Sequence, residues 1–314
     1  MIRKNRAYGL KYYYLRNITH LDRTSIGLGN LFFIPLIGEK GVERYYVEEG
    51  FLNELKFMTK VMIMNPSHDR ARDISLHFFI PPNDSHQKVK IISMSHGAMS
   101  IEKDKHDNLV ASLHLDVIPP KKKETVTIVQ SISLTPFKVR DTDWGELDEA
   151  FLRSQVHHGR LQNSTREDII QLASKIRSDN VYETVKNCVK FIKSHVRYRA
   201  NAYRLGALFA LKHRKGACDE ITDLCASILK ALKLKVRTII GYVIDRNFHA
   251  WLEIFTPRYG WIPVDATAGI IGCLGARWLK IYVEPKPNTK ILQVKSRRKV
   301  IVKPEIYLED EKIL

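Results

Sequence analysis

Short runs of apolar residues, separated by turn-forming residues, mark the chain up to about position 140. The runs cover residues 55–64, 74–80, 109–115 and 125–129, and the third alternates apolar with polar side chains. Asn65-Pro66-Ser67 follows the first run, as expected where a strand gives way to a turn. Several short strands at such intervals, without a helical period, predict a β-sandwich.

After residue 140 apolar residues recur every three or four positions, which predicts helices. Thr165 and Asp168 fit a capping box at the start of one helix. A second helix is predicted from Tyr182 to His195. A third begins at Cys218 and carries an apolar stripe of Cys218, Ile221, Leu224, Cys225, Ile228, Leu229 and Leu232.

Three predicted strands follow this helix, at residues 236–244, 248–255 and 261–264, and the first tight turn between them falls at Asp245-Arg246-Asn247. A helix that feeds an antiparallel sheet indicates an α+β fold. We therefore predict a β-sandwich domain at 1–140, an α+β domain at 141–285 and a basic C-terminal extension at 286–314. The apolar runs in the extension leave two alternatives open, extra strands or a partly ordered arm.

The chain is strongly basic, with 51 Lys and Arg against 34 Asp and Glu, a net charge of +17 and a pI near 9.6. Such a surface attracts nucleic acid, anionic lipid or acidic polymers without specificity. The densest runs lie at 121–123, 212–215 and 295–299, and none is interleaved with aromatic residues in a way that suggests base stacking. Because the charge is spread along the chain, a solvated surface is the favoured interpretation and a non-specific anionic partner is the alternative.

Composition is otherwise ordinary for a globular protein, with 44% hydrophobic and 27% charged residues. The basic N-terminus has no apolar stretch typical of a secretory signal. No run approaches the ~18 apolar residues that a membrane span needs. We therefore expect a soluble, cytoplasmic protein without a membrane span and without a cofactor.

The four cysteines do not form a metal-binding pattern, because no pair has the spacing of a CxxC motif. Cys188, Cys225 and Cys273 are interpreted as packing residues. His157-His158 alone could suggest a metal, but no Cys, Asp or Glu cluster supports that interpretation. The sequence therefore predicts no metal site.

Cys218 stands where a helix begins, and backbone N–H groups and the helix dipole favour a thiolate there. Further along the chain, His249 lies near the start of a predicted strand and Asp265 lies at the end of the next. Antiparallel neighbours joined by a short turn can bring those two side chains together. A thiol, a base that activates it and an acid that orients the base are the groups that acyl transfer through sulfur requires.

Taken singly, each of these residues has a simpler explanation. A Cys on an apolar stripe is usually a core residue, a His in a strand is usually structural, and an Asp after a strand is usually a turn residue. The residues around them change this judgement. They are Lys-Gly-Ala-Cys-Asp-Glu at 215–220, His-Ala-Trp-Leu-Glu at 249–253 and Gly-Trp-Ile-Pro-Val-Asp-Ala-Thr at 260–267.

In this order and spacing the three motifs resemble the transglutaminase-like superfamily of cysteine enzymes, over about residues 180–272. The segment before position 140 also resembles, more loosely, the β-sandwich that precedes this domain in many prokaryotic relatives. The resemblance implies a papain-like α+β core. It also implies Cys218 as nucleophile, His249 as base and Asp265 as the acid that orients the base. Tyr198 stands where relatives carry an aromatic residue that can donate to the oxyanion, although a buried structural Tyr explains the position equally well.

Where many relatives have Asp before the Cys, this chain has Ala217, which leaves the triad intact. The sequence predicts an enzyme that attacks a peptide or carboxamide bond and forms a Cys thioester. Water as acceptor makes it a protease or amidase and an amine makes it a transglutaminase, and hydrolysis is the favoured alternative. A slow binding module that uses its basic surface for nucleic acid or an acidic partner is the second hypothesis. Deglycosylation of the peptide:N-glycanase type is the third, weakened by the absence of CxxC pairs.

Overall fold

The structure is a computed structural model that describes residues 54–139, 142–154, 164–201, 203–244, 247–284, 289–309 and 311–312, and the backbone of four strands between Arg6 and Glu49. The pair His157-His158 and the predicted turn at Asp245-Arg246 lie outside these described residues.

Twenty-two strands and five helices are assigned within the described part of the chain. In chain order they are β1 (Arg6–Ala7), β2 (Leu10–Leu15), β3 (Leu31–Ile37), β4 (Glu43–Glu49), β5 (Glu54–Met64), β6 (Ala71–Ile80), β7 (Gln87–Met94), β8 (Ser100–Lys103), β9 (Leu109–Ile118), β10 (Lys123–Leu134), β11 (Phe137–Lys138), α1 (Glu149–Ser154), α2 (Glu167–Ile176), α3 (Val181–His195), β12 (Arg197–Tyr198), α4 (Ala207–His213), β13 (Lys215–Gly216), α5 (Cys218–Ala231), β14 (Val236–Val243), β15 (Asn247–Thr256), β16 (Gly260–Asp265), β17 (Ile270–Ile271), β18 (Cys273–Leu274), β19 (Trp278–Glu284), β20 (Leu292–Lys295), β21 (Ile301–Leu308) and β22 (Glu311–Lys312).

The chain divides into two compact units. Residues 1–51 and 136–278 form one, the α+β unit, and residues 52–135 and 279–314 form the other, the sandwich unit. This division differs from the expected one at both ends of the chain. The N-terminal segment groups with the α+β unit, because β3 pairs with β17, and the C-terminal segment groups with the sandwich unit.

The sandwich unit contains two antiparallel sheets, with strand orders β22-β21-β5-β10-β7 and β20-β6-β9-β8. Along strand β5 every second side chain is buried, as expected for a sheet with one face in the core. Side chains from both sheets share one apolar core that includes Val61, Ile63, Ile74, Leu76, Leu113, Val126 and Ile128. The β-rich region predicted before residue 140 is confirmed.

The C-terminal tail supplies strands to this sandwich. Strand β20 pairs with β6, and β21 pairs with β5 from Ile301 opposite Met64 to Leu308 opposite Phe57. Ile306 and Leu308 bury their side chains there. Of the two alternatives left open for the tail, the described residues therefore adopt extra strands.

The α+β unit contains the helices and an antiparallel sheet in which neighbouring strands follow the order β1-β2-β4-β3-β17-β16-β15-β14. Helix α5 packs against α2, α3, α4, β14 and β15. Ile221, Leu224, Cys225, Ile228 and Leu229 on α5 are buried in one core with strand residues such as Leu252, Ile254, Ile262 and Val264. The predicted α+β class is confirmed, and the apolar stripe of α5 rests on the sheet as the sequence indicated.

The predicted start of α2 is wrong in detail. Arg166, rather than Thr165, occupies the N-cap position, and no side chain caps the helix. Asp168 instead bonds to its neighbours, accepting from the Ile169 N–H at 3.0 Å and from Arg166 Nε at 3.2 Å. The nearby Arg166 guanidinium therefore takes the carboxylate that a capping box would use.

Candidate active site

Cys218 is the first residue of α5, and the chain enters the helix through Gly216 and an extended Ala217. Gly216 has no room for a side chain, because a Cβ there would lie 2.8 Å from Glu220 Cβ. Since Ala217 has no polar side chain, Glu220 takes over the capping role, and its Oε2 accepts the Ala217 N–H at 2.7 Å. The N-terminus of α5 therefore holds Cys218 in a fixed position, and the Cys218 side chain stays partly accessible.

His249 and Asp265 come from neighbouring antiparallel strands, as the sequence predicted. His249 is the third residue of β15 and Asp265 is the last of β16, in a pairing that sets Leu252 opposite Val264. His249 Nε2 lies 2.7 Å from Asp265 Oδ2, and the two side chains are 15% and 0% exposed. The strand register thus produces a buried contact between His249 and Asp265.

Both oxygens of Asp265 accept hydrogen bonds. Oδ1 accepts from the Ala268 N–H at 2.9 Å, and Oδ2 accepts from Trp278 Nε1 at 3.3 Å as well as facing His249. Burial by itself would raise the pKa of Asp265, but the His249 charge and these hydrogen bonds outweigh it and hold the pKa below its usual range. Asp265 is therefore held as an ionised carboxylate although its own side chain is fully buried.

The environment of His249 favours its protonated form. Burial would lower the pKa of His249, yet the charge and hydrogen bond of Asp265, followed by the contribution of Cys218, raise the pKa to about 10. Because Nε2 faces Asp265, Nδ1 is the ring nitrogen left for a second partner. Cys218 is close enough to act on this pKa both as a hydrogen-bond partner and as a charge. The three predicted residues are thus brought together in the order thiol, imidazole and carboxylate.

Cys218 differs from the other three cysteines, which are all buried. The sulfur atoms of Cys188 and Cys225 lie 3.7 Å apart inside the core, and burial raises the pKa of Cys188 well above its usual value. Burial likewise raises the pKa of Cys273 to about 12. These three thiols fit the packing role expected of them, and Cys218 is the accessible one.

Tyr198 lies beside this site rather than in the core. It is the second residue of β12, pairs with Gly216 and is 58% exposed. Its pKa is raised by partial burial and then by the charges of Cys218, Asp219 and Glu220. The alternative of a buried structural Tyr does not fit this exposure, and the oxyanion role stays a prediction.

Glu220 is a residue of the site that the sequence analysis did not identify. It is fully buried, and besides the Ala217 N–H it accepts the Leu205 N–H at 2.7 Å and Asn201 Nδ2 at 2.9 Å. Burial would raise the pKa of Glu220, but the two backbone N–H groups and the Asn201 amide lower it. The only sequence signal was a Glu at the third position of a helix, which usually indicates a surface cap.

No group of three or more His, Cys, Asp or Glu residues with metal-binding geometry occurs among the described residues. Within the same part of the chain, none of the helices is both long and apolar enough to cross a bilayer.

Comparison with known proteins agrees with this geometry. Residues 170–266, which include all three candidate residues, match the model of the transglutaminase-like superfamily. The chain therefore contains a transglutaminase-like domain, as the resemblance of the three motifs implied.

A curated relative is the uncharacterized protein YebA of Bacillus subtilis (strain 168), 23% identical over 137 residues. The match covers 35% of this chain and only 19% of YebA, so the chain spans about a fifth of that relative's length. Among solved structures, a protein described as a putative cysteine protease from Cytophaga hutchinsonii aligns over 80% of this chain and 90% of its own, with a TM-score of 0.52 and 17% identity. At this identity the likeness shows that the two proteins share a fold.

Proposed function

We propose that this protein is a cysteine enzyme that cleaves peptide or carboxamide bonds through a thioester on Cys218. The observation that carries the proposal is the arrangement of a partly accessible Cys218 at the start of α5, beside a His249 that contacts the buried Asp265 at 2.7 Å. Covalent acyl transfer needs a nucleophile, a base and an acid that orients the base, and Cys218, His249 and Asp265 are our candidates for these three roles.

In the proposed first step the Cys218 sulfur, as a thiolate, attacks the carbonyl carbon and forms a C–S bond. The carbonyl electron pair moves to oxygen, and the Cys218 backbone N–H donates to this oxyanion; no acceptor for that N–H occurs among the described residues. Tyr198 is the candidate second donor. The C–N bond then breaks as His249 gives its proton to the departing nitrogen, which leaves a thioester and a free amine or ammonia.

In the second step an acceptor attacks the thioester carbon, and His249 removes its proton while the C–S bond breaks and the sulfur leaves as thiolate. Throughout, Asp265 holds the imidazole in one orientation and stabilises its positive charge. We favour water as the acceptor, and therefore a protease or amidase, because the Cys218 side chain keeps access to solvent. An amine acceptor, which would make the protein a transglutaminase, requires the same two steps and a site that excludes water.

The test is the pH dependence of iodoacetamide labelling of Cys218, followed by mass spectrometry in the wild type and in His249→Ala. An isolated thiol ionises near ~8.5. The raised pKa of His249 keeps its ring protonated at neutral pH, and a positive charge next to a thiol favours reaction through the thiolate. We expect rapid labelling of Cys218 at about pH 6 in the wild type and a loss of that labelling, by about 10-fold or more, in His249→Ala.

His195→Ala is the matched control, because His195 lies in the same unit but bonds the Leu211 carbonyl through Nε2 at 2.8 Å and stacks on Phe191. It should leave the labelling profile of Cys218 unchanged. Slow wild-type labelling with an ordinary thiol profile that His249→Ala does not change would contradict the proposal.

A second function, the binding of nucleic acid through the phosphate backbone, is favoured by a basic end of the sandwich unit. We define the basic end as residues 65–73, 119–123 and 295–300, which carry nine Lys and Arg against two Asp. Met64, at the end of β5, pairs with Lys123 on one side and Ile301 on the other, which brings the basic runs at 121–123 and 295–299 to the same end of the sheet.

A cavity of about 350 Å3 at the basic end is lined by Asp69, Arg70, Arg72, Arg297 and Arg298. Arg298 pairs with Asp69 and Arg297 with Asp73. In contrast, Arg70 and Arg72 have no acidic partner among the described residues. Guanidinium groups of this kind suit phosphate oxygens, and the lack of interleaved aromatics favours backbone contacts over base stacking.

The double charge reversal Arg70→Glu/Arg72→Glu is therefore expected to weaken binding of a short DNA duplex by about 10-fold or more, and to flatten its salt dependence. Fluorescence anisotropy over a sodium chloride series measures both quantities. Lys88→Glu/Lys90→Glu makes the same change of charge on exposed positions of β7 in the same unit. If the two double variants weakened DNA binding equally, only the overall charge would matter, and a binding site at the basic end would be refuted.

A further inference from the structure

The segment that precedes α4, residues 197–205, exposes an unusual number of large apolar side chains. We call these residues the rim; Ala202 within it lies outside the described residues. Tyr198 is 58% exposed, Tyr203 is 81% exposed and Leu205 is 48% exposed. Single exposed apolar residues are ordinary on a protein surface. Three of them within eight positions concentrate apolar surface in one segment, and exposed apolar surface of this kind is a feature of binding sites.

The rim is held firmly despite this exposure. Buried Glu220 bonds Asn201 and the Leu205 N–H, and Arg204 forms a bidentate ion pair with Asp223 in which Nε lies 2.8 Å from Oδ2. The side chains of that pair are only 9% and 12% exposed. Because these contacts already fix the backbone, a ligand that packs on the apolar side chains pays little further ordering entropy.

The rim also borders the nucleophile. Tyr198 pairs with Gly216 and the Arg199 N–H donates to the Gly216 carbonyl at 2.8 Å, so this part of the rim lies beside the residues that lead into Cys218. Glu220, which fastens the other end of the rim, belongs to the same first turn of α5 as Cys218. A chain whose carbonyl carbon reaches Cys218 therefore passes close to the rim.

The charge of the rim is positive. Arg197 and Arg199 flank Tyr198 on the surface, and neither has an acidic partner among the described residues. The carboxylates nearby are Asp219, which is half-buried, and Glu220 and Asp223, which are engaged by the rim itself. An acidic side chain beside the scissile bond would find these two guanidinium groups available.

We propose that the rim is the substrate-recognition surface of the site. It takes a polypeptide that places a large apolar side chain on Tyr203 and Leu205 and an acidic side chain beside Arg197 and Arg199. This inference rests on the proposed acyl-transfer function and adds to it the class of substrate: polypeptides in which apolar and acidic residues flank the bond that is attacked.

The experiment uses short peptidyl acyloxymethyl ketones, which report on recognition without dependence on the acyl acceptor. The Cys218 sulfur forms a bond to the ketone methylene as the carboxylate leaves, so the rate of adduct formation is read by mass spectrometry. Four probes carry Phe or Gly next to the ketone, each combined with Glu or Lys at the next position. We expect the Phe-Glu probe to react fastest with the wild type.

The variants separate recognition from chemistry. Tyr203→Ala and Leu205→Ala should each slow the Phe probes by about 10-fold, which is the order expected for an apolar contact, and should leave the Gly probes and iodoacetamide unchanged. Arg199→Glu should reverse the preference for Glu over Lys. Ile170→Ala on α2, another exposed apolar position at 39%, is the control and should alter none of these rates.

Equal rates for Phe and Gly probes in the wild type, or equal slowing of all probes by the rim variants, would overturn the rim as a recognition surface. In either case His249-dependent labelling by iodoacetamide can persist, and the acyl-transfer proposal then stands without the rim. Failure of the acyl-transfer proposal is distinguishable, because iodoacetamide labelling itself would then be slow and independent of His249.

Discussion

Replacing Cys218 with alanine is expected to abolish cleavage of a peptide or carboxamide substrate, with a loss on the order of 10^4-fold or more in turnover. The reason is that the thioester forms on the Cys218 sulfur and that no other thiol is placed to substitute for it, since Cys188, Cys225 and Cys273 are buried. When the nucleophile is removed from such a site, the remaining rate acceleration comes only from substrate binding and oxyanion stabilisation. Amine release in a single-turnover assay, with mass spectrometry of the acyl adduct, measures the effect.

Cys225→Ala provides the comparison, because Cys225 lies on the same helix two turns further along and is fully buried. This variant should lose some stability through the small cavity it leaves but keep its turnover below its melting temperature. If Cys218→Ala retained turnover and still formed an acyl adduct, the nucleophile would have to be another residue and the proposed reaction would be wrong. Urea unfolding of both variants checks that any loss of turnover is a loss of chemistry, since partly accessible Cys218 contributes little to the core.

The elements that build the site could be predicted because their signals are local. The helix that starts at Cys218 has a 3.6-residue apolar stripe, and the structure assigns α5 from Cys218 to Ala231. Strands β15 and β16 were indicated by short apolar runs around the turn at Gly260, whose φ of 68° suits glycine. Once helix and strands have these bounds, the meeting of His249 and Asp265 follows from antiparallel pairing with a short connection.

The contacts that depend on distant parts of the chain could not be predicted in the same way. Strand β21, near the C-terminus, pairs with β5, although all the helices of the α+β unit lie between the two strands in sequence. No local sequence pattern indicates that these two strands become neighbours in the sheet. Trp278 donates to Asp265 from a separate strand. No sequence pattern near Asp265 indicates this hydrogen bond. Glu220 is an acid in the first turn of a helix and has no further local signal, and its buried role depends on the Leu205 N–H and the Asn201 amide, which contact it from outside the helix.

Replacing Asp265 with alanine is expected to lower turnover on the order of 10^3–10^4-fold, because His249 loses the group that orients its ring and stabilises its charge. The same variant is expected to lower the free energy of unfolding by about 3–5 kcal/mol, since it leaves a buried imidazolium without its partner. Trp278 Nε1 and the Ala268 N–H lose their acceptor as well. Asp265→Asn retains one acceptor oxygen, so it serves as the milder variant that should still fold.

The free energy of unfolding differs between the wild type and Asp265→Asn, and the pH dependence of this difference shows whether the His249–Asp265 ion pair causes it. The folded pKa of Asp265 is lowered, so its contribution is present above the unfolded value near ~3.9 and is lost as the pH falls. The folded pKa of His249 is raised to about 10, so its contribution is full below the unfolded value near ~6.5 and fades as the pH rises toward 10. The difference between wild type and Asp265→Asn should therefore be largest between about pH 4 and 6.5.

Urea unfolding at a series of pH values measures this profile, and Asp143→Asn is the control. Asp143 pairs with Arg258 at 3.3 Å on the surface, where the two side chains are 73% and 60% exposed, and loss of such a pair costs at most about 1 kcal/mol. A difference for Asp265→Asn that stays constant across the pH range would mean that packing and hydrogen bonds, rather than charge, account for the role of Asp265. Asp265 would then not stabilise the protonated form of His249 that the mechanism requires, and the proposed catalytic role of Asp265 would be wrong.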